Sequence, residues 1–485
     1  MERRDNGVPA NLDWVTVAIF IVLVVCGWLS IYSAGYSIEE NEIIGFSTNA
    51  GKQLVWILCS FVLAAVVLSF SQNFYRSYSF LLYAAFILLL LVTIVIADDT
   101  KGSRSWISLG PMKLQPAEFA KFATALALAK FIDNDDFNPG KINSILKASA
   151  FFMLPLMLII CQKETGSALV YLAFFLVLYR EGMSGLPLFG ACCAVLFFIV
   201  GVKFWNVPVG DMPFCVGPFV VMILIQLLSA LLMLVYLPGR STWLPVLIIG
   251  AGSTVLGLIV SFMVFPFNVV VLQVISIALM AVFLLFQAMK NALGQCLITL
   301  AFAVLSTIYL FSCNFVFDHV LQPHQQTRVN IILGIEDDPF GAGYNVNQSM
   351  IAIGSGGFWG KGFLNGTQTK LKYVPEQYTD FIFCTIGEEQ GFKGTLFVMI
   401  LYLVFILRLM WLAERQSSVF GRAFGYAVAC IFLFHLFINI GMVLGITPVI
   451  GIPLPFFSYG GSSLFGFTIL LFILLRIDTE RTSRF

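Results

Sequence analysis

Charge is scarce in this chain. Aspartate, glutamate, lysine and arginine make up 11% of its 485 residues, and 27 basic against 26 acidic groups leave a formal net charge of +1. Binding a polyanion needs a concentrated basic face, and none is present, which argues against a nucleic-acid partner. Histidine is nearly missing: His319, His324 and His435 are the full set. The first two lack metal-ligand neighbours, and His435 sits in the apolar run Phe432 to Leu436, where a packed, hydrogen-bonded ring is the ordinary outcome. Neither a zinc site nor a Ser-His-Asp arrangement is indicated. The ten cysteines are dispersed without a CxxC pair, and Cys192-Cys193 lies inside an apolar run, so no disulfide framework is expected. No stretch looks able to fold alone as a soluble domain.

What is abundant is apolar length. The composition is 59% hydrophobic with 49 phenylalanines, and the mean hydropathy is +0.93. Repeated apolar runs of about 20 residues exceed the needs of a soluble core and match bilayer-spanning helices. The expected fold is an all-α polytopic membrane protein of about 14 helices, near 12–34, 52–71, 79–97, 116–132, 148–162, 165–180, 185–205, 216–237, 244–265, 268–289, 292–313, 391–411, 421–446 and 461–476. The first run is too long for a signal-peptide core and lacks a small-residue cleavage site, so it is read as a retained helix.

Polar groups crowd into a few joints, chiefly Leu321 to Gly394. On the helix that Pro116 opens, Glu118 and Lys121 are spaced i, i+3 and share a face. They make either an exposed ion pair or, at membrane depth, a functional one. Gln162-Lys163-Glu164-Thr165-Gly166 is a tight turn between two apolar helices. Gly451 to Ser463 is too rich in proline and glycine for a helix; at membrane depth such backbone is tolerated only where protein buries it or it lines a wet cavity. With an even number of spans, the termini share a side with Arg76, Lys141, Lys147, Arg180, Arg415, Arg422 and Arg481. The positive-inside rule makes that side cytoplasmic. The long loop 314–390, the Lys101/Arg104 loop, the Lys163/Glu164 turn and the Pro-Gly loop then all lie on the outer face, where these four polar segments can form one composite site.

Those segments resemble the SEDS family (shape, elongation, division and sporulation), bacterial membrane glycosyltransferases. The likeness lies in Gly102-Ser103-Arg104-Ser105-Trp106-Ile107, Gln115-Pro116-Ala117-Glu118, the run Gly343 to Gly357, and the loop Ser458 to Ser463. Gly366-Thr367-Gln368, Val374-Pro375-Glu376 and Thr379-Asp380-Phe381-Ile382-Phe383 resemble the family's elongation branch more than its division branch. The resemblance covers 12–205 and 292–485. It implies a core of ten helices in 1–205 and 301–485, a catalytic outer loop at about 314–390, and four inserted spans at 206–300. In place of the family's usual Gln-Pro-Asp-Leu-Gly, this chain has Lys163 for the proline and Glu164 for the aspartate.

The implied activity is polymerisation of lipid II into peptidoglycan strands, at the bacterial cytoplasmic membrane. It carries two implied partners: a class B penicillin-binding protein transpeptidase and other membrane proteins of the elongation complex. Such chemistry needs a base for the attacking sugar hydroxyl and cations for the departing pyrophosphate. Asp380 matches the family's catalytic aspartate; from its position alone it also reads as a charge stabilised at a helix N-terminus. If a helix runs through it, Glu388 shares its face as a second acid. Arg104, Arg328 and Lys370 are the favoured cations, with Lys361 among the others. Glu118, Lys121, Glu164, Gln368 and Ser458 complete the expected substrate-binding set. Ile353 to Gly357 is either an anion-binding nest or a turn. No cofactor is evident, although magnesium or manganese is compatible with the chemistry. A lipid flippase or other transporter is the competing class.

Overall fold

The computed structural model describes residues 11–36, 45, 48–98, 103–109, 112–237, 242–291, 294–321, 323–336 and 343–481. Gly102 and the side chain of Arg328 lie outside the described residues. The chain is built from α1 (Trp14–Gly35), α2 (Asn49–Ser69), α3 (Gln72–Ile96), a hairpin of β1 (Ile107–Leu109) and β2 (Met112–Leu114), α4 (Pro116–Ile132), α5 (Ile142–Cys161), α6 (Thr165–Val170) and α7 (Phe174–Arg180). There follow α8 (Leu186–Lys203), α9 (Val216–Tyr236), α10 (Trp243–Leu247), α11 (Ser253–Met263), α12 (Val269–Asn291), α13 (Gly294–His319) and α14 (Pro323–Leu333). The last five are α15 (Tyr344–Gly356), α16 (Thr367–Lys370), α17 (Ile382–Glu414), α18 (Val419–Val443) and α19 (Gly461–Arg481). Short polar residues start several of these helices by capping orphan N–H groups: Asp13 accepts from Thr16, Thr48 from Gly51, Ser71 from Phe74 and Ser418 from Gly421.

Among the described residues, twelve helices are long and apolar enough to cross a membrane. The other two of the fourteen expected segments are short. One is α4, of 17 residues, and the other is Thr165–Arg180, broken into α6 and α7 by a tighter turn at Tyr171–Ala173.

The chain divides into two compact units, Met1–Ser184 with Tyr344–Phe485, and Gly185–Gly343. In the first, α4, α18 and α19 are buried nearly all round, and α4 packs on α3, α5, α18 and α19. Helices α2 and α3 keep most of their surface outward, the arrangement for a lipid-facing wall. One end of this unit collects ion pairs: Arg408 with Asp13, Arg180 with Glu414, Arg422 with Glu181, and Arg76 with Asp133. At that end the buried Asp478 accepts from Arg415 Nε (2.7 Å) and Gln416 Nε2 (2.9 Å). Asp478→Ala strands Arg415, and we expect a loss of about 3 kcal/mol, read as a lower denaturation temperature in detergent.

The second unit holds α8 to α14 around Val221, Met222, Ile225, Met280, Leu284 and Cys296. Its buried polar links run between helices: Gln226 Nε2 donates to Ser276 (2.8 Å), and Thr254 donates to Gln226 Oε1 (2.9 Å). In an apolar medium such bonds hold α9, α11 and α12 together. The block 206–300 lies within this unit, whose borders fall at Gly185 and Gly343.

The sharpest departure from the expected elements is α17. It begins at Ile382, nine residues before the expected 391, and is kinked at Gly391 (φ 66°, ψ −159°), a conformation open chiefly to glycine. The broken ladder is repaired by 357–362. Lys361 N and Gly362 N donate to the carbonyls of Glu388 and Glu389 (3.1 and 2.8 Å), while Phe392 N donates to Gly357 O (2.9 Å). The carbonyls of Glu388 and Glu389 and the N–H groups of Phe392 and Lys393 thus find partners outside the helix.

Candidate active site

The Pro-Gly loop between α18 and α19 is irregular, yet buried side chains satisfy its carbonyls. Ile452 O accepts from Asn439 (2.7 Å), Pro453 O from His435 Nδ1 (3.1 Å) and Pro455 O from Tyr402 (2.6 Å). This loop in turn grips the turn that precedes α17. Ser458 Oγ accepts from Leu454 N (2.8 Å) and donates to Thr379 O (2.6 Å); Tyr459 N donates to Tyr378 O (2.8 Å); Asn439 Nδ2 donates also to Asp380 O (2.8 Å). Three consecutive residues, 378 to 380, are thus fixed through their main chain. Asp380 is half-buried, with its carboxylate beside Gly451: a Cβ built there would lie 3.4 Å from Asp380 Oδ2. Burial pushes the neighbouring Tyr459 phenol above its ordinary range. Ser458, expected to bind substrate, is a strut beneath Asp380, with its hydroxyl bonded to backbone on both sides.

The Gln162 to Gly166 turn closes on the same loop. A Cβ at Gly166 would stand 2.6 Å from Ile450 O, so only glycine permits this approach. Gly166→Ala should push residues 450–452 away from Asp380 and lower activity at least as much as an ångström-scale misplacement does, about 100-fold. Steady-state kinetics measure it. Lys163 has φ 59° and ends α5 in a left-handed cap, with Lys163 N on Ile160 O (2.9 Å) and Glu164 N on Ile159 O (3.2 Å). Proline is locked near φ −65° and cannot take this conformation. The turn therefore differs from the family pattern in backbone as well as in side chain. Glu164 accepts from Ser105 Oγ (2.8 Å), and Arg104 N donates to Gln162 O (3.0 Å) while its guanidinium side chain is exposed. The 103–105 segment and the Glu164 turn are one structure. The hairpin beyond is pinned where Ser462 Oγ donates to Lys113 O (2.9 Å).

Two adjacent glutamates organise the loop bearing Lys361, Gln368 and Lys370. The Glu388 carboxylate is fully buried. It accepts from Lys361 Nζ (2.7 Å), Thr367 Oγ1 (3.2 Å), Gln368 N (2.8 Å) and Thr369 N (2.9 Å). Glu389 accepts from Ser33 of α1. Because α17 begins after Asp380, no helix face runs from Asp380 to Glu388, and the second-acid reading of Glu388 is corrected: it is the loop's anchor. Lys370 Nζ lies 5.7 Å from the centre of the Tyr36 ring. Gln377 ties the loop to the Asp380 turn, donating to Ala34 O (2.7 Å) and Thr369 O (3.0 Å). Gly354 and Gly356 fall within α15, which packs on α17, so they do not form a nest.

Glu118 and Lys121 are brought together but away from solvent. Their side chains are 2% and 1% exposed, with Lys121 Nζ 2.7 Å from Glu118 Oε1 and 2.9 Å from His435 Nε2. Their place is in the core of the unit rather than on the outer surface of the site. Arg328 stands on α14, and its side chain is outside the described residues. Residue reasoning passed over Gln377, Asn439 and the partnership of His435. One local signal existed for the last two: they are spaced i, i+4 on the stretch 427–443 of α18, which is otherwise apolar.

A bundle of membrane-length helices whose loops converge on a clamped aspartate defines a polytopic membrane protein with a composite loop site. The profile of the FtsW/RodA/SpoVE cell cycle proteins matches residues 13–209 and 251–483, and the chain belongs to that family. Among its relatives, the peptidoglycan glycosyltransferase RodA of Treponema pallidum is 33% identical over 481 residues, covering 99% of this chain and 100% of that protein. The peptidoglycan glycosyltransferase MrdB of Escherichia coli K12 is 28% identical over 472 residues, covering 97% and 94%. The fold matches a chain in a peptidoglycan synthase complex that coordinates polymerization and crosslinking (TM-score 0.59, 22% identity, 97% and 98% covered). It also matches the rod shape determining protein RodA of Thermus thermophilus (TM-score 0.54, 20% identity, 97% of both chains).

Proposed function

We infer that this chain is a peptidoglycan glycosyltransferase that polymerises lipid II, with Asp380 as the general base. The observation that carries the assignment of the base is the clamp on residues 378 to 380. A carboxylate whose backbone is held from two elements at three successive residues is preorganised for proton transfer. Asp380 takes the proton of the acceptor sugar hydroxyl; that oxygen bonds to the donor's anomeric carbon; the bond from that carbon to the lipid pyrophosphate breaks, and the pyrophosphate leaves with the electron pair.

Arg104 and Lys370 meet the charge of the leaving group, Arg104 through a bidentate fork. Lys361 contributes from its place on Glu388, while Gln368 and Glu164 hold sugar hydroxyls at the rim. A divalent cation, magnesium or manganese, would add to these charges, and polymer formation with and without a chelator measures its share. We place the site on the outer face of the bacterial cytoplasmic membrane and both termini in the cytoplasm, because the opposite end of the first unit carries the arginine-rich ion pairs. The partner is a class B penicillin-binding protein transpeptidase within an elongation complex.

Purified protein in liposomes, given fluorescent lipid II on one side, tests the activity by following polymer and transbilayer movement together. Polymer without protein-dependent translocation is expected. Translocation without polymer would overturn the assignment in favour of a transporter.

A further inference from the structure

Buried charge in the core of a membrane protein is costly and calls for partners. Lys121 has two: Glu118 Oε1 at 2.7 Å and His435 Nε2 at 2.9 Å. An ammonium is a donor only, so Nε2 accepts from it and the ring proton sits on Nδ1. That proton points at Pro453 O, 3.1 Å away. The neighbouring carbonyl, Ile452 O, is held by Asn439, one helical turn beyond His435, and the same amide holds Asp380 O. An unbroken line of contacts therefore runs from the buried ion pair on α4, through an imidazole on α18, to the loop that seats Asp380. His435 is 1% exposed, its ring packs edge-on against Phe467 at 4.8 Å, and Phe467 also lies 5.2 Å from Lys121 Nζ. The ring has no room to swing out of this line.

We propose that His435 is a positioning residue for glycan polymerisation: with Nε2 seated on Lys121, its Nδ1–H holds the Pro453 carbonyl, and this second contact sets the loop against which Asp380 is held. This rests on Asp380 being the base. Its chemistry is that of an outer partner fixing an inner group: the imidazole touches no substrate and acts by which main-chain atom it holds and from where. The two ring nitrogens do separate jobs, and separate replacements remove them. In His435→Gln the amide oxygen takes the Nε2 place and still accepts from Lys121, while the donor to Pro453 is lost. In His435→Asn the amide nitrogen takes the Nδ1 place and still donates to Pro453, while Lys121 loses its acceptor.

Both variants are compared with wild type, as monodisperse protein, in steady-state polymerisation of lipid II and in amide hydrogen exchange of residues 450–460. We expect kcat in His435→Gln to fall about 10- to 100-fold, as small misplacements of a catalytic group do, with KM within about two-fold of wild type. Exchange in the loop should quicken in the same variant. His435→Asn should retain most of kcat and the wild-type exchange pattern. Equal losses in both variants, a larger loss in His435→Asn, or no change in either would overturn the proposal, since His435 would then serve only the ion pair or nothing. Exchange reads the link to the loop without catalysis. A wild type that makes no polymer would therefore undo the assigned activity and leave the structural link still measurable.

Discussion

Asp380→Asn should abolish measurable polymerisation, with a fall in kcat of about 100- to 10,000-fold, the range general-base catalysis supplies. The substitution keeps shape while removing the negative charge and the ability to take a proton. Asp380 is gripped through its carbonyl by Asn439, and its neighbours through theirs, so the turn is held through its main chain. Denaturation temperature and lipid II binding should therefore stay near wild type while chemistry is lost, the pattern of an interaction made only in the transition state. Asp380→Glu should retain partial activity, because it keeps the base but displaces it by one methylene beside Gly451. Rate constants per folded protein, with a melting curve for each variant, check both.

Glu388→Ala should have the second largest effect, and of a different kind. Its carboxylate takes hydrogen bonds from two backbone N–H groups, a hydroxyl and Lys361. Removing it leaves buried donors unpaired at about 1–3 kcal/mol each. The loop from Lys361 to Lys370 then loses its anchor, and with it the placement of Gln368 and Lys370. We expect a lower denaturation temperature, faster proteolytic cleavage within 361–373, and a rise in KM together with a fall in kcat. Asp380→Asn, by contrast, should leave stability and cleavage unchanged. Glu388→Gln should lie between, because one amide oxygen still accepts while the amide nitrogen faces other donors.

How much of this could be read from residues alone divides along physical lines. The membrane helices were legible because apolar length leaves few alternatives; of the two segments that fall short, α4 carries Glu118, Lys121 and Lys130 in 17 residues, and Thr165–Arg180 is broken by the turn at Tyr171–Ala173. The gathering of polar segments on one face followed from charge at the helix ends. Contacts set by backbone geometry were not legible. The early start of α17 is hidden because Glu388, Glu389 and Gln390 interrupt its apolar run just before Gly391, and the i, i+4 inference from Asp380 to Glu388 assumed a helix where there is a turn. The i, i+3 pairing of Glu118 with Lys121 was visible as a pattern, but its burial depends on α18 and α19, far away in the chain. His435 is the packed, hydrogen-bonded ring its apolar run implies, but the identity of its partner Lys121, 314 residues away, was not legible. Lys163, read as a departure from a family pattern, became intelligible only with its φ of 59°.

The most direct measurement is single-turnover formation of the first glycosidic bond from purified lipid II, for wild type and Asp380→Asn at matched substrate occupancy. The expected result is equal occupancy with bond formation at least about 100-fold slower in the variant. Equal rates in the two proteins would contradict Asp380 as the base.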